Sequence, residues 1–142
     1  MRKVNPAKKF TGKTPLIKAK NRLWNTIRTY IFNKYNFECY TCPQKDLTGS
    51  NCQLGHFHTA GSCGSDMFWH LDNLRPQCLR CNKQLNGNAQ QYRYNLIDEI
   101  GLDKVLELDN RVLFTPRIKP WKVDRLEKEK EKVKEVLHRL DK

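Results

Sequence analysis

Aspartate and glutamate are absent from the first 37 positions of this 142-residue chain, a stretch that carries ten Lys or Arg. A segment of one sign cannot neutralise itself, which excludes cationic partners for it and favours polyanions. Long apolar runs are also missing, and nothing approaches the roughly 20 residues of a membrane-spanning helix. No hydrophobic stretch follows the basic N-terminus, so a secretory signal is not expected. Without export, the six cysteines read as metal ligands and free thiols rather than as a disulfide set, and a cytoplasmic location is expected. Hydrophobic residues make up only 38% of the chain and charged ones 30%. That leaves a modest core, which a metal staple would support.

The net charge of +12 is unevenly spread. Residues 1–37 contribute +10, residues 38–100 contribute −1 and residues 101–142 contribute +3. Residues 1–20 mix Lys with Pro, Gly and Thr without a period, and read as a basic flexible arm. From Asn21, the apolar residues Leu23, Trp24, Ile27, Tyr30, Ile31 and Tyr35 recur at helical spacing. That helix opens a domain expected over residues 21–114. Within it, Gln53 to Thr59 reads as a strand and Phe68 to Leu71 as the next extended piece. Gly49, Gly55, Gly61 and Gly64 read as turns. Helices are expected from near Cys78 to Leu85, stopped by Asn86-Gly87-Asn88, then over Ala89–Ile100 and Leu102–Leu108. A Pro-containing linker, 115–122, leads to a charged helix in 123–142. Its residues Val123, Leu126, Val133, Leu137 and Leu140 form a stripe interrupted by Lys130. Packing on the domain is the simpler use of that stripe, and pairing of two copies into a homodimer is the alternative.

Cys39-x-x-Cys42 and Cys78-x-x-Cys81 are matched pairs whose spacing lets both sulfurs of each pair face one tetrahedral ion. Structural Zn²⁺ held by these four cysteines is the expectation. A redox Cys-x-x-Cys occurs singly and opens a helix in a βαβ setting, which is missing here. The 35 residues between the pairs exceed a simple zinc ribbon and must carry a hairpin of their own. Cys52 and Cys63 match no ligand spacing and read as small buried residues. His56 and His58, two apart on a strand, would project to one face. One imidazole can then take a proton from water while the other ligates an ion or steadies a phosphate.

The order of these residues resembles the HNH nucleases. The pattern is a Cys-x-x-Cys, a His at a strand end, Asn-Leu ahead of a second Cys-x-x-Cys, and a polar residue after it. The resemblance implies an α+β fold with a zinc-stapled ββα-metal core, treble-clef-like and flanked by helices. It implies His56 as general base, Asn73 as the residue bracing the hairpin and Asn82 as a ligand of a catalytic Mg²⁺ or Mn²⁺. His-x-His with Asn after the last Cys is similar to phage recombination endonuclease VII. A narrower likeness runs through Gln77-Cys78, Cys81-Asn82, Gly87-Asn88, Tyr92-Arg93, Asn95-Leu96-Ile97, Ile100-Gly101 and Leu106-Glu107-Leu108. Over roughly residues 38–108 it resembles the NinG (Rap) recombination proteins of phages. That family implies structure-specific cleavage of branched DNA, such as Holliday junctions or D-loops, in the host cytoplasm if the chain is phage-encoded.

Many HNH enzymes place an Asp or His before the base to hold the ion, and here that position is Gly55. His58 is then the first candidate for a second ligand, with Asp66 and His70 behind it. Asp72 reads as a turn or cap residue. For phosphate contacts the candidates are Lys8, Lys9, Lys13, Lys18, Lys20 and Arg22 of the N-terminal region, with Arg80, Lys83 and Arg93 near the site. Nothing in them implies reading of base edges. The competing expectation is a non-catalytic zinc-stabilised module that binds nucleic acid.

Overall fold

The computed structural model describes residues 2–59, 65–114 and 120–140. Cys63 and the turns expected at Gly61 and Gly64, with most of the linker, lie outside the described residues. No described helix is long and apolar enough to cross a membrane. The chain forms two compact units, one of residues 1–36 with 121–142 and the other of residues 37–120. It is α+β, mostly helical with one two-stranded sheet.

In the first unit, α1 spans Pro15–Lys34. It starts six residues before the expected Asn21. Thr14 Oγ1 accepts from the Ile17 N–H at 3.2 Å, and Pro15 occupies the first turn. There its missing N–H costs nothing and its fixed φ suits the helix. Prolines and lysines that look like an unstructured arm are thus partly a helix start. Residues further upstream are held as well, because the backbones of Arg2, Ala7 and Phe10 bond to side chains of α1. Of the arm expected over 1–20, residues 15–20 are helical, and Arg2, Ala7 and Phe10 are tied to α1. The helix α5 spans Val123–Leu140 and packs on α1, burying Leu126 and Val133. Its apolar stripe is used within the chain. Arg22 reaches Glu127 across this pair, with Nε 3.1 Å from Oε1.

The second unit positions the site. Strand β1, Gln53–His56, pairs antiparallel with β2, Leu74–Gln77, with His56 opposite Leu74 and Gly55 opposite Arg75. The strand stops at His56, so it is shorter than Gln53–Thr59. Phe68 and Trp69 are not extended: they belong to α2, Ser65–Trp69. The second strand lies further on and contains Pro76. Proline usually argues against a strand, yet in a two-stranded sheet each strand is an edge that can dispense with an N–H. After Cys78 comes a wide turn, Arg80–Gln84, with a π-type bond from the Leu85 N–H to the Arg80 carbonyl at 2.9 Å. Asn86, Gly87 and Asn88 all take positive φ, which ends it where expected.

Two helices then close the unit, α3 over Ala89–Ile100 and α4 over Leu102–Phe114, joined at Gly101 with φ +93°. α4 is longer than the expected Leu102–Leu108. Met67, Tyr92, Leu96, Val105 and Leu108 form the buried cluster among α2, α3 and α4. The Tyr92 hydroxyl donates to the Gly55 carbonyl at 2.9 Å and so ties this core to β1.

Gly55 is a strand residue, not a turn, and the structure explains its lack of a side chain. A Cβ there would lie 1.8 Å from Gln77 Oε1 and 2.7 Å from Gln77 Cδ. Gln77 cannot swing away readily, since it is fully buried and its Nε2 donates to Thr41 Oγ1 at 2.9 Å and the Gly87 carbonyl at 2.8 Å. Gly55→Ala should therefore destabilise the protein by about 2–3 kcal/mol through overpacking. Denaturant unfolding checks this, and a variant within 0.5 kcal/mol of wild type, roughly the spread of surface substitutions, would contradict it.

Candidate functional site

Cys39 and Cys42 lie in the loop after α1, Cys78 follows β2 directly, and Cys81 falls in the Arg80–Gln84 turn. Their four sulfurs lie within 4.8 Å of one another, with Cys42 and Cys78 Sγ 3.7 Å apart. Tetrahedral zinc–thiolate bonds of about 2.3 Å put sulfurs near 3.8 Å apart, so the cluster fits a metal such as zinc. Backbone N–H groups support the ligands: Cys78 N–H donates to Cys39 Sγ at 3.3 Å and Cys81 N–H to Cys78 Sγ at 3.4 Å. Asn88 Nδ2 approaches Cys81 Sγ at 3.8 Å, and Thr41 Oγ1 lies 3.7 Å from Cys39 Sγ. The Gln77 amide that excludes a side chain at Gly55 thus also holds Thr41 against a ligand sulfur.

These thiols do not ionise alike. Burial pushes Cys39 up, but donors from Cys78 and Thr41 outweigh it and bring the thiol down to about 7. Burial and the neighbouring thiols push Cys42 up to about 12. Burial raises Cys81 too. Four thiolates in one pocket repel each other, so a cation is needed to hold them deprotonated, and its binding releases protons.

The histidines lie at the other end of β1. His56 Nε2 sits 3.0 Å from the Phe68 carbonyl of α2, and the two rings are 4.6 Å apart. A carbonyl only accepts, so Nε2 carries a proton, and in the neutral ring Nδ1 holds the lone pair. His58 lies beyond the strand and has a different partner, Asp109 on α4, with Nε2 2.8 Å from Oδ1. The two histidines are not a pair on one strand face. Asn73, fully buried, accepts from the His58 N–H at 2.8 Å and donates to the carbonyls of His58 at 3.1 Å and Met67 at 3.0 Å. Its amide thus joins the backbone at residue 58 to that of Met67 in α2.

Asn82 follows Cys81 and donates through Nδ2 to Gln53 Oε1 at 3.3 Å. Gln53 begins β1 and His56 ends it, about 10 Å along the strand, so no direct bond joins the two expected partners. Asp66 lies in the first turn of α2. His70 caps the turn at residues 71–73, its Nδ1 accepting from the Asp72 N–H at 3.1 Å, and burial lowers its pKa. Arg80 and Lys83 are exposed beside Asn82. Arg93 is instead committed to Asp109, donating from both terminal nitrogens at 3.2 and 2.9 Å.

Asp109 was not legible as a site residue. One acid on an amphipathic helix carries no local mark, and only the fold brings α4 to His58. Burial raises its pKa, but hydrogen bonds from Arg93 and His58 outweigh it and hold the carboxyl below the usual range.

A family model described as Bacteriophage Lambda NinG protein matches residues 2–142. The chain belongs to the NinG family. Protein ninG of Escherichia phage lambda is 32% identical over 72 residues, 51% of this chain and 34% of that protein. The ninG proteins of Salmonella phage P22 and Enterobacteria phage H19B are 32% and 33% identical, over 51% and 45% of the chain. The matched stretch spans about a third of the length of these relatives, 34% or 31%. No solved structure matches.

Two outcomes test this NinG-family site. Cys78→Ser should lose the metal and most of the native fold, measured by metal content and circular dichroism; a folded variant with full zinc would refute the ligand set. A depressed native pKa at Asp109 adds stability above the unfolded carboxyl value of about 4, which is lost as pH falls through the native one. Asp109→Asn should therefore flatten the loss of stability on the acid side. Superimposable acid melts of the two proteins would contradict that.

Proposed function

We propose that this NinG-family chain is an HNH-type, metal-dependent endonuclease that hydrolyses phosphodiester bonds in branched DNA. The observation that carries the proposal is His56, at the end of β1, held through Nε2 on a backbone carbonyl so that its basic lone pair is on Nδ1. The surroundings are in keeping with a ββα-metal, treble-clef-like core: a cysteine knuckle, an antiparallel hairpin, a bracing Asn73 and a helical turn bearing Cys81 and Asn82.

In this reading His56 Nδ1 takes a proton from water as the water oxygen bonds to phosphorus. The bond to the 3′ oxygen breaks, and that oxygen leaves with a proton from solvent. Asn82 and His58 would hold one Mg²⁺ or Mn²⁺, with Asp66 the further candidate. Imidazole nitrogen and amide oxygen suit Mn²⁺, and carboxylate oxygen suits either. Such an ion, when bound, neutralises charge on the phosphate and on the departing oxygen. Asp109 holds the Nε2 proton of His58, the usual way a ligating imidazole is oriented. The zinc cluster stays structural, since four thiolates leave no open position.

A non-catalytic, zinc-stabilised nucleic-acid-binding module is the second reading. It is favoured by Gly55, which offers no ligand, and by the turn of Asn82 toward Gln53.

Incubation with four-way, flapped and linear DNA, with Mg²⁺ or Mn²⁺ and without, separates them. Ion-dependent cutting of the branched substrates is expected, with His56→Ala slower by about 10²–10⁴-fold. Wild type that binds but never cuts, or cuts no faster than His56→Ala, would sink the enzyme reading.

A further inference from the structure

The two compact units differ sharply in charge. Residues 37–120 hold nine Lys or Arg and nine Asp or Glu. Residues 1–36 with 121–142 hold 18 against six, so the chain's whole net charge of +12 resides there. On α5, Glu127 and Glu129 are met by Lys130 and Lys132, and Glu127 also by Arg22. Residues 2–14 contain no acid at all.

That basic segment is fastened by a repeated device. Asn21 Oδ1 accepts the Phe10 N–H at 3.0 Å while its Nδ2 donates to the Phe10 carbonyl at 2.9 Å. Asn25 does the same to Ala7 at 2.8 and 3.1 Å, and Asn33 to Arg2 at 3.0 and 2.8 Å. Arg28 adds a bond to the Asn5 carbonyl at 2.7 Å. Each asparagine amide thus meets both backbone groups of one residue, as a neighbouring strand would. The segment's side chains sort accordingly. Val4, Ala7 and Phe10 are half-buried at every third position, whereas Arg2, Lys3, Lys8 and Lys9 are exposed. A three-residue period is that of an extended, polyproline-like strand. Lys13 and Lys18 continue the exposed cations toward and into α1.

We propose that residues 2–18 form a preorganised cationic strip for the phosphate backbone of duplex DNA, with Asn21, Asn25 and Asn33 as the positioning residues that hold it in place. The inference rests on the nucleic-acid reading above and adds to it how the phosphates are gripped. A loose lysine tail loses conformational freedom when it binds. A strip already fixed on a helix has lost most of it in folding, so more of the phosphate attraction remains as affinity.

The test uses the full chain, zinc-loaded and without other divalent ions, titrated against a labelled DNA duplex at several salt concentrations. Asn21, Asn25 and Asn33 are replaced together by Ala, which keeps every charge, and separately Lys3, Lys8, Lys13 and Lys18 by Gln. The asparagine variant should bind about tenfold more weakly, and its amide resonances for residues 2–10 should move to random-coil positions. The lysine variant should lower the slope of log affinity against log salt by about 3–4. An asparagine variant with a released segment that binds as tightly as wild type would overturn the strip. If the triple variant unfolds, Asn33→Ala, which frees Arg2 alone, should still cost two- to threefold, and no loss there overturns it as well. Wild type that ignores DNA, or binds polyglutamate equally well, would instead remove the nucleic-acid reading beneath it.

Discussion

The second unit depends on one buried amide. Gln77 is the last residue of β2 and directly precedes a cysteine of the metal cluster, so its position is set by both. Its Nε2 joins Thr41 of the first knuckle to the carbonyl of Gly87, which ends the turn carrying Cys81. Three segments far apart in sequence meet on this side chain. The space it fills is taken from residue 55, which must therefore be glycine. Residue 55 is thus used to pack the frame of the cysteine cluster and offers no side-chain donor.

If residue 55 cannot contribute a donor, any ion beside His56 must be held by residues from other elements. His58 itself is held by three constraints: Asn73 fixes its backbone, Asp109 fixes its ring, and Arg93 fixes Asp109. Asp109 with one cationic partner and one imidazole is a balanced arrangement. Asn82 bonds Gln53 through Nδ2, at the opposite end of β1 from His56.

What could be read from sequence followed from how local the cause was. The cysteine pairs, the stop at Asn86-Gly87-Asn88, and the helices from Ala89 and Val123 rest on spacing and turn chemistry within a few residues. The Ser65–Trp69 helix did not, because its aromatic residues suit a strand equally well and only the closure of the core against Tyr92 decides. Pro15 and Pro76 misled in opposite directions: one looks like a loop residue and opens a helix, the other looks like a breaker and sits in a strand. Asp109 was beyond reach for a different reason. Its role comes from a contact 51 residues away in sequence, and nothing near it distinguishes it from any solvated acid.

The N-terminal segment looks disordered in sequence, yet it is hydrogen-bonded to α1 at Arg2, Ala7 and Phe10. Its composition offers too little apolar surface to fold on its own, with Val4, Ala7 and Phe10 the residues turned inward among 2–14. Order is supplied by the partner helix, whose asparagines contribute hydrogen bonds where an unstructured tail would have used water. Asparagine is an unfavourable choice within a helix, since its amide competes for nearby backbone. At Asn21, Asn25 and Asn33 that appetite for backbone is directed outward, to a strand that is not part of the helix. Three such residues in α1 weaken the helix as an isolated peptide and strengthen it as a platform. The lysines gain a fixed surface, and their mutual repulsion, which would expel a free tail, is borne by six hydrogen bonds from side chains to backbone.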